Sequence, residues 1–403
     1  MGEMIRANRK AIQIEYAIRD VVVAAQELER RGEKVLKLNI GDPCQYGFQP
    51  PKEATDGVVE ALRRGLNGYA PSQGIPEVLE AVERYERWRG SEVPKENLLI
   101  TAGVTEAIQF TYFSLLGEGD EILLPDPTYP PYITYAKMLG AKPVLYRCRE
   151  EEGWSPSEED IRRKITPRTR AIALINPNNP TGALYDERTV KLIGDIAAEH
   201  SLPVISDEIY CEITFTGVPA PSTAALLKDV PVIVYNGMSK IFLAPGWRIG
   251  YLGLSDPEGV MVEIWDGIMR QARARLSPSS IAQWGFMRAL EGDRGYLRDF
   301  LRKLKARRDI YVKHFSEMEE FDLSVPEGAF YIFPKIGRRS PWKDDRKFVL
   351  SLLREEKVLT VHGSGFSPEG GAWHFRAVTL PPEDVIEESM IRLERFMRRH
   401  ENE

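Results

Sequence analysis

The sequence predicts an α/β fold, with a large domain whose mostly parallel sheet is covered by helices and a smaller α+β domain. Two observations lead to this prediction. Short apolar runs alternate with helical patterns through the middle of the chain, as in sheets that are buried on both faces. After about Glu291 the pattern changes to one long helix and a strand-rich part. The 403 residues are enough for both domains and for a large buried core.

The predicted elements follow in chain order. The N-terminal part contains a helix over Ala17–Arg31 and a strand over Val35–Ile40. Strands of the large domain are predicted over Leu98–Thr101, Glu121–Leu124, Ala171–Ile175, Pro203–Ser206, Val232–Tyr235 and Trp247–Leu254. Its helices are predicted over Val104–Leu116, Pro131–Leu139 and Glu187–His200, the last with Asp186 as N-cap. The small domain is predicted to contain a helix over Tyr296–Met318, strands over Leu323–Val325, Ala329–Phe333, Leu359–Val361 and Trp373–Val378, and a final helix from about Pro382.

These elements divide the chain into three parts. Residues 1–49 form an N-terminal arm, helix and strand that we expect to pack with the small domain. Residues 50–290 form the large domain, and residues 291–403 form the small C-terminal domain.

Composition excludes several classes of protein. The 54 basic and 60 acidic residues give a net charge of −6, which argues against a nucleic-acid partner. No apolar run is long enough to cross a membrane, and the N-terminus has no secretory signal. The three cysteines are scattered, so they support neither a disulfide framework nor a metal site. We therefore expect a cytoplasmic protein with reduced thiols.

One lysine follows an apolar, strand-like run. Lys240 comes after Val232–Tyr235, and Arg248 follows eight residues later, after a Pro-Gly turn. A lysine with a lowered pKa forms a Schiff base with an aldehyde, and an arginine binds a phosphate through two parallel hydrogen bonds. An aldehyde and a phosphate on one small molecule describe pyridoxal phosphate (PLP). A solvated surface lysine is an equally good interpretation of this stretch alone.

Further unusual residues follow the predicted strands, where open α/β sheets place their sites. Residues 102–106 stand at a helix start and could bind an anion through backbone N–H groups, although a simple N-cap by Thr105 is the better interpretation of this segment alone. Tyr129 stands between prolines and could stack on a flat ring, or could be an ordinary core residue. No glycine motif for a nucleotide cofactor is present.

Three more segments are candidates. Residues 176–182 contain three asparagines, two prolines and a glycine, which indicates a rigid loop that aims amide groups at a ligand. Asp207 directly follows a buried strand, which is costly for an unpaired carboxylate, so it either binds a protonated ring nitrogen or caps a following helix. Tyr210 is three residues further on. Arg376 shares a strand face with His374 and could receive a carboxylate from a substrate or from the protein.

Taken in order, these segments resemble the fold type I PLP-dependent aminotransferases over nearly the whole chain. The motifs of the resemblance are Asn179-Pro180-Thr181-Gly182, Asp207-x-x-Tyr210, Ser239-Lys240 with Arg248, and Arg376. Within that family the chain is similar to the alanine aminotransferase branch. The residues of this finer resemblance are Glu15-Tyr16-Ala-Ile18-Arg19, Leu38-Asn-Ile-Gly41-Asp-Pro43, Asn236-Gly-Met-Ser-Lys240 and Phe375-Arg376-Ala-Val-Thr-Leu-Pro381.

The resemblance implies a role for each residue. Lys240 would hold PLP as a Schiff base and act on the substrate proton, and Asp207 would keep the ring nitrogen protonated. The ring and its 3-oxygen would be held by Tyr129, Ile209, Tyr210 and Asn179. The phosphate would be bound by Gly103, Val104, Thr105, Ser239 and Arg248. Gly237 stands where many relatives carry a phosphate-binding serine, and glycine is frequent there in the alanine branch.

The resemblance also implies a homodimer with shared sites, because Tyr69 matches a tyrosine that reaches the phosphate of the neighbouring subunit. The substrate α-carboxylate would be bound by Arg376 and Asn179, with Gly41 nearby. Arg19 either receives the distal carboxylate of 2-oxoglutarate from a mobile arm or is a helix-surface residue.

The implied reaction is alanine plus 2-oxoglutarate to pyruvate plus glutamate. Aspartate or aromatic specificity and a PLP-dependent C–S lyase are the alternatives, and a nicotinamide-dependent dehydrogenase or a non-enzymatic regulator is remote. Arg273 and Arg275 lie near where aspartate-specific relatives carry a carboxylate receptor, but two such arginines are more often solvated.

Overall fold

The computed structural model describes residues 5–8, 10, 17–337 and 339–401. Within them the helices are α1 (Ala17–Arg30), α2 (Lys52–Arg63), α3 (Pro76–Trp88), α4 (Val104–Leu115), α5 (Pro130–Met138), α6 (Glu158–Lys164), α7 (Glu187–Glu199), α8 (Thr223–Leu226), α9 (Val262–Arg275), α10 (Ser280–Glu291), α11 (Gly295–Glu317), α12 (Asp345–Glu356) and α13 (Glu383–His400).

The first strands in the chain are β1 (Leu36–Lys37), β2 (Leu98–Thr101), β3 (Glu121–Asp126), β4 (Lys142–Arg149), β5 (Ser155–Pro156), β6 (Thr169–Ile175), β7 (Val204–Asp207), β8 (Val232–Gly237) and β9 (Gly250–Ser255). The C-terminal part contributes β10 (Phe321–Asp322), β11 (Tyr331–Ile332), β12 (Lys335–Ile336), β13 (Val358–Leu359), β14 (Val361–His362) and β15 (Phe375–Val378).

The central sheet has eight strands in the order β2-β9-β8-β7-β6-β3-β4-β5. Neighbours from β8 through β4 are parallel, while β9 runs antiparallel to both β2 and β8. Strand β2 therefore points the same way as β8. The loops after β2, β3, β6, β7 and β8 all leave from one edge of the sheet, which is where polar residues were predicted to meet.

Helices cover both faces of this sheet. Along β8, Val232 and Val234 pack into one apolar core, and Ile233 packs into the other. Alternate residues of a strand point to opposite faces, so every residue of a doubly covered strand is apolar or buried. Helices α3 and α7 contribute to the first core, and α4 and α9 contribute to the second. The predicted α/β class with a mostly parallel sheet is confirmed.

The C-terminal part contains short antiparallel strand pairs instead of a large parallel sheet. Short antiparallel pairings join β11 and β14 to β15, and β10 to β12. The long helix α11 precedes them and α13 ends the region. Strand β1 pairs in parallel with β13, so the N-terminal segment is joined to C-terminal elements. The boundaries at residues 49/50 and 290/291 stay predictions.

Several predicted strands were wrong in detail, among them Leu359–Val361, which is divided between β13 and β14. Residues 323–325 are not a strand, because the pairing with Lys335–Ile336 lies earlier, at Phe321–Asp322, and Pro326 has no N–H to extend it. The strand predicted from Trp247 begins at Gly250, because Arg248 adopts a left-handed conformation with φ 53°. Asp186 does cap α7, accepting from the N–H of Thr189.

In the part of the chain that the structure describes, no helix is both long and apolar enough to span a membrane. The cytoplasmic location stays a prediction.

Candidate active site

The loops at the carboxyl edge of the sheet enclose a cavity of about 240 Å³. C-terminal residues complete its wall. The predicted site residues that line it are Gly41, Val104, Thr105, Tyr129, Asn179, Asp207, Ile209, Tyr210, Ser239, Lys240, Arg248 and Arg376. Segments far apart in sequence are thus brought to one place by the parallel strands and by β15.

Lys240 lies in the turn after β8, with its side chain within the cavity. Its Nζ donates to the carbonyl oxygen of Gly41 at 2.7 Å. Burial lowers the pKa of Lys240 to about 8, and the positive charge of Arg376 acts in the same direction. The uncharged amine, which is the form that attacks a carbonyl carbon, is therefore far more populated near neutral pH than in an ordinary lysine.

Asp207 is the last residue of β7 and is 4% exposed. Its Oδ2 accepts from the Tyr132 hydroxyl at 2.8 Å, and its Oδ1 accepts from the N–H of Ile209 at 3.1 Å. Burial raises the pKa of Asp207 to about 6, while these hydrogen bonds favour its ionised form. No helix begins at Asp207, so the interpretation of this residue as an N-cap is wrong. Its carboxylate is held ready for a cationic partner.

An anion cradle lies between α4 and the turn after β8. Gly103 is the N-cap of α4 and has φ 81°, so Thr105 does not cap this helix as the simpler interpretation proposed. A Cβ atom on Gly103 would lie 2.6 Å from Nη2 of Arg248. That guanidinium is exposed and donates to the carbonyls of Pro245, at 3.1 Å, and Ala102, at 3.3 Å. A helix N-terminus and an exposed guanidinium here face the same space.

Arg376 lies on β15 and is 2% exposed. Its Nη1 donates to Oδ1 of Asn179 at 2.9 Å, and its Nη2 donates to the carbonyl of Asn39 at 3.0 Å. Among the described residues no carboxylate forms a salt bridge with it. A buried cation without a carboxylate from its own protein is costly unless a ligand supplies one. The cavity is therefore suited to a molecule with a carboxylate at this end.

Several residues that line the cavity or support it were missed by the sequence. They are Asn39, Ile40, Ile108, Tyr132, Ile175, Pro245 and Tyr331. Asn39 stands two residues before Gly41 in a segment that the resemblance already marked, so its position was the available signal. Tyr132 lies in a helix and Tyr331 lies in a strand. No local sequence pattern distinguishes these two tyrosines from ordinary core residues.

Other predicted residues do not line the cavity. Tyr69 is 86% exposed. The side chain of Arg19 lies outside the described residues. Arg273 is exposed, but the interpretation of Arg275 as solvated is wrong: its Nη1 lies 2.8 Å from Glu106 Oε2, and its Nη2 donates to the carbonyl of Ser72. His374 stacks on Phe333 at 4.8 Å, away from the cavity.

Comparison with known proteins gives consistent matches over nearly the full length. A family model described as Aminotransferase class I and II matches residues 33–385. Glutamate-pyruvate aminotransferase AlaA of Escherichia coli K12 is 37% identical over 401 residues, which are 98% of each chain. The structure of alanine aminotransferase from Pyrococcus furiosus has a TM-score of 0.95 and 50% identity, covering 98% of this chain and 100% of that chain. Aspartate aminotransferase of Bacillus subtilis is 33% identical, covering 94% of this chain and 95% of the relative.

Proposed function

Since the chain belongs to the aminotransferase class I and II family, we propose that its cavity binds PLP and exchanges an amino group between an L-amino acid and a 2-oxo acid. The family, the fold type and the enzyme class that the sequence predicted are confirmed by these matches. The cofactor, the residue roles, the substrates and the homodimer are proposals.

The observation on which the proposal depends is that an amine, a buried carboxylate and a buried guanidinium converge on one cavity. PLP carries an aldehyde, a ring nitrogen and a phosphate, and each has a matching partner. Lys240 and Asp207 both line the cavity, where Lys240 would bind the aldehyde and Asp207 the ring nitrogen. The phosphate matches the N-terminus of α4 and Arg248, whose guanidinium can approach this helix end because Gly103 has no Cβ. The donors present therefore fit the cofactor.

When bound, PLP supplies an electron sink for the charge that develops on the substrate Cα. The chain does the rest. Lys240 Nζ would take the proton from Cα and deliver it to the carbon of the former aldehyde group, as its lowered pKa of about 8 allows near neutral pH. Asp207, ionised at neutral pH, stabilises a proton on the ring nitrogen. Arg376 and Asn179 hold the substrate carboxylate, so that Cα lies near Lys240.

We propose alanine with 2-oxoglutarate as the substrate pair. Support comes from the relatives named for alanine or glutamate-pyruvate transamination, above all the Pyrococcus furiosus structure at 50% identity. The Bacillus subtilis relative, named for aspartate, keeps aspartate as the second candidate.

A screen of L-amino acids with 2-oxoglutarate tests this choice. We expect alanine to have a kcat/KM at least about tenfold above that of aspartate, a difference of about 1.4 kcal/mol in transition-state binding. The reverse assay, glutamate with pyruvate, should give alanine at a comparable rate. If aspartate is the better donor, the substrate assignment changes to aspartate, and the proposed PLP site is unaffected.

We also propose a homodimer with shared sites. Tyr69 is 86% exposed, and its loop is fixed to the same subunit by the Arg275 hydrogen bond to the Ser72 carbonyl at 3.1 Å. A large exposed aromatic residue at a fixed position outside its own cavity is suited to reach a neighbour's phosphate group.

Mixing two inactive or impaired variants tests the shared site. Tyr69→Phe should weaken PLP retention in homodimers, and Lys240→Ala should abolish activity. A heterodimer of the two has one cavity with the intact lysine and the partner's Tyr69, so about half of the wild-type activity per dimer should return. Differently tagged subunits allow the heterodimer to be isolated. No recovery in isolated heterodimers would contradict the shared site.

A further inference from the structure

Tyr331 contacts three parts of the cavity at once. Its hydroxyl lies 2.7 Å from the hydroxyl of Tyr210. The centre of its ring lies 4.6 Å from Cζ of Arg376. A Cβ atom on Gly41 would lie 2.8 Å from its hydroxyl oxygen, so the backbone of Gly41 packs directly against it. This one side chain therefore touches the residues that we propose for the cofactor ring and for the substrate carboxylate.

We infer that Tyr331 is a positioning residue that aims the Tyr210 hydroxyl at the cofactor ring oxygen and holds the Arg376 guanidinium flat for the substrate carboxylate. The inference rests on the proposed function, because it assigns a role toward PLP and a substrate carboxylate. Tyr331 lies on strand β11 in the C-terminal part of the chain, and it would orient both the Tyr210 hydroxyl and the Arg376 guanidinium.

The hydroxyl pair determines where the Tyr210 proton points. Both hydroxyls lie in a buried setting, and burial raises the pKa of Tyr210, so this phenol stays protonated. Each phenol has one proton to donate. When Tyr331 donates to the oxygen of Tyr210, the proton of Tyr210 remains for the ring oxygen of the cofactor. A phenylalanine at position 331 would remove that donor and leave the Tyr210 hydroxyl free to rotate.

The ring of Tyr331 acts on Arg376. The Tyr331 and Phe366 rings each lie 4.6 Å from the guanidinium carbon. The in-plane N–H groups are directed by Asn179 and Asn39. Aromatic faces attract a guanidinium and fix the orientation of its plane, while the edge of the guanidinium stays available for a carboxylate. Loss of the ring therefore affects carboxylate binding, and loss of the hydroxyl alone does not.

Gly41 belongs to the same arrangement. Any side chain at this position would strike the Tyr331 hydroxyl and, at 2.9 Å, the Phe330 ring. The carbonyl oxygen of Gly41 accepts from Lys240 at 2.7 Å. The absence of a side chain at position 41 thus lets the Tyr331 hydroxyl and the Lys240 amine approach the same peptide segment.

Two substitutions separate the two tasks. Tyr331→Phe removes the hydroxyl and keeps the ring, and Tyr331→Leu removes both. Tyr311→Phe is the matched control, because its buried hydroxyl donates to the Val378 carbonyl at 3.1 Å in the same region without lining the cavity. The measured quantities are the pH midpoint of the near-visible absorbance of the PLP-loaded enzyme, the inhibition constant of propionate and the thermal unfolding temperature. Propionate is alanine without its amino group, so it reports on carboxylate binding.

The expected results differ between the variants. A hydrogen bond to the ring oxygen stabilises its negative charge, so that oxygen holds a neighbouring proton less tightly. Tyr331→Phe should therefore raise the absorbance midpoint by about half a pH unit or more, while the propionate constant stays within about twofold. Tyr331→Leu should raise the midpoint similarly and also weaken propionate binding about fivefold or more. Tyr311→Phe should change neither.

A double substitution makes the test independent of stability. If the Tyr331 hydroxyl acts through Tyr210, then adding Tyr331→Phe to Tyr210→Phe should not move the midpoint further. Additive shifts, or an unchanged midpoint in Tyr331→Phe, would overturn the inference, as would an equal shift in Tyr311→Phe. Absence of a titrating near-visible band in the unsubstituted enzyme would instead overturn the proposed function, so the two failures are distinguishable.

Discussion

Replacing Lys240 with alanine should reduce the transamination rate by about 10⁴-fold or more, because it removes both the attachment point of the cofactor and the base that moves the Cα proton. The cavity otherwise keeps its donors. Its Asp207 and Arg248 remain, so PLP should still bind, now without a covalent bond. The rate with alanine and 2-oxoglutarate, measured alongside the absorbance of bound PLP, checks both parts.

Lys95→Ala is the matched control. Lys95 pairs with Glu80 at 3.1 Å and does not line the cavity, so its loss should leave rate and absorbance unchanged. A Lys240→Ala enzyme that keeps more than about a hundredth of the wild-type rate would not fit a role for this amine in proton transfer.

Asp207→Asn should slow the reaction by about 100-fold or more while PLP stays bound. The amide is nearly the same size as the carboxylate. The Tyr132 hydroxyl, which donates to Asp207 Oδ2 at 2.8 Å, can therefore still donate to the amide oxygen. What is lost is the negative charge that keeps the ring nitrogen protonated, and with it the stabilisation of charge from the substrate Cα. Single-turnover rates with alanine measure this step directly.

Asp160→Asn controls for the substitution itself. Asp160 is also buried, and it pairs with Lys164 at 2.8 Å outside the cavity. Its replacement should lower the unfolding temperature and leave the transamination rate nearly unchanged. If Asp207→Asn keeps a rate within about tenfold of wild type, a barrier change of only about 1.4 kcal/mol, the proposed electrostatic role is wrong.

The large domain was predictable because its strands are continuous apolar runs with polar residues at their ends. Asp207 illustrates this: a carboxylate directly after the buried run of β7 had to be paired, and the parallel order of β6, β7 and β8 brings its loop beside that of Lys240. Such reasoning uses only local pattern and the geometry of parallel sheets.

Residues contributed by the C-terminal part were harder to predict. Tyr331 lies 121 residues from Tyr210 in sequence, and its strand reads as ordinary core. Periodicity cannot indicate that this ring faces a cavity rather than a core, since both surroundings are apolar. Arg376 was found only because a cation within an apolar run requires a partner.

The structural reason for Gly237 could not be predicted from the sequence. The sequence marked it as a departure from relatives that carry serine. In the structure Gly237 is opposite Gly250 in the β8–β9 pairing, and a Cβ on it would lie 2.5 Å from the Gly250 Cα. Close strand approach therefore requires a glycine here, whatever its consequence for phosphate binding.

Borohydride reduction of the PLP-loaded wild-type enzyme, followed by mapping of the modified peptide by mass spectrometry, identifies the lysine that holds the cofactor. Borohydride fixes a lysine-bound cofactor permanently to its side chain. We expect one modified lysine per subunit, Lys240, whose amine lines the cavity. Modification at a different lysine, or none in protein that retains PLP, would contradict the assignment of Lys240.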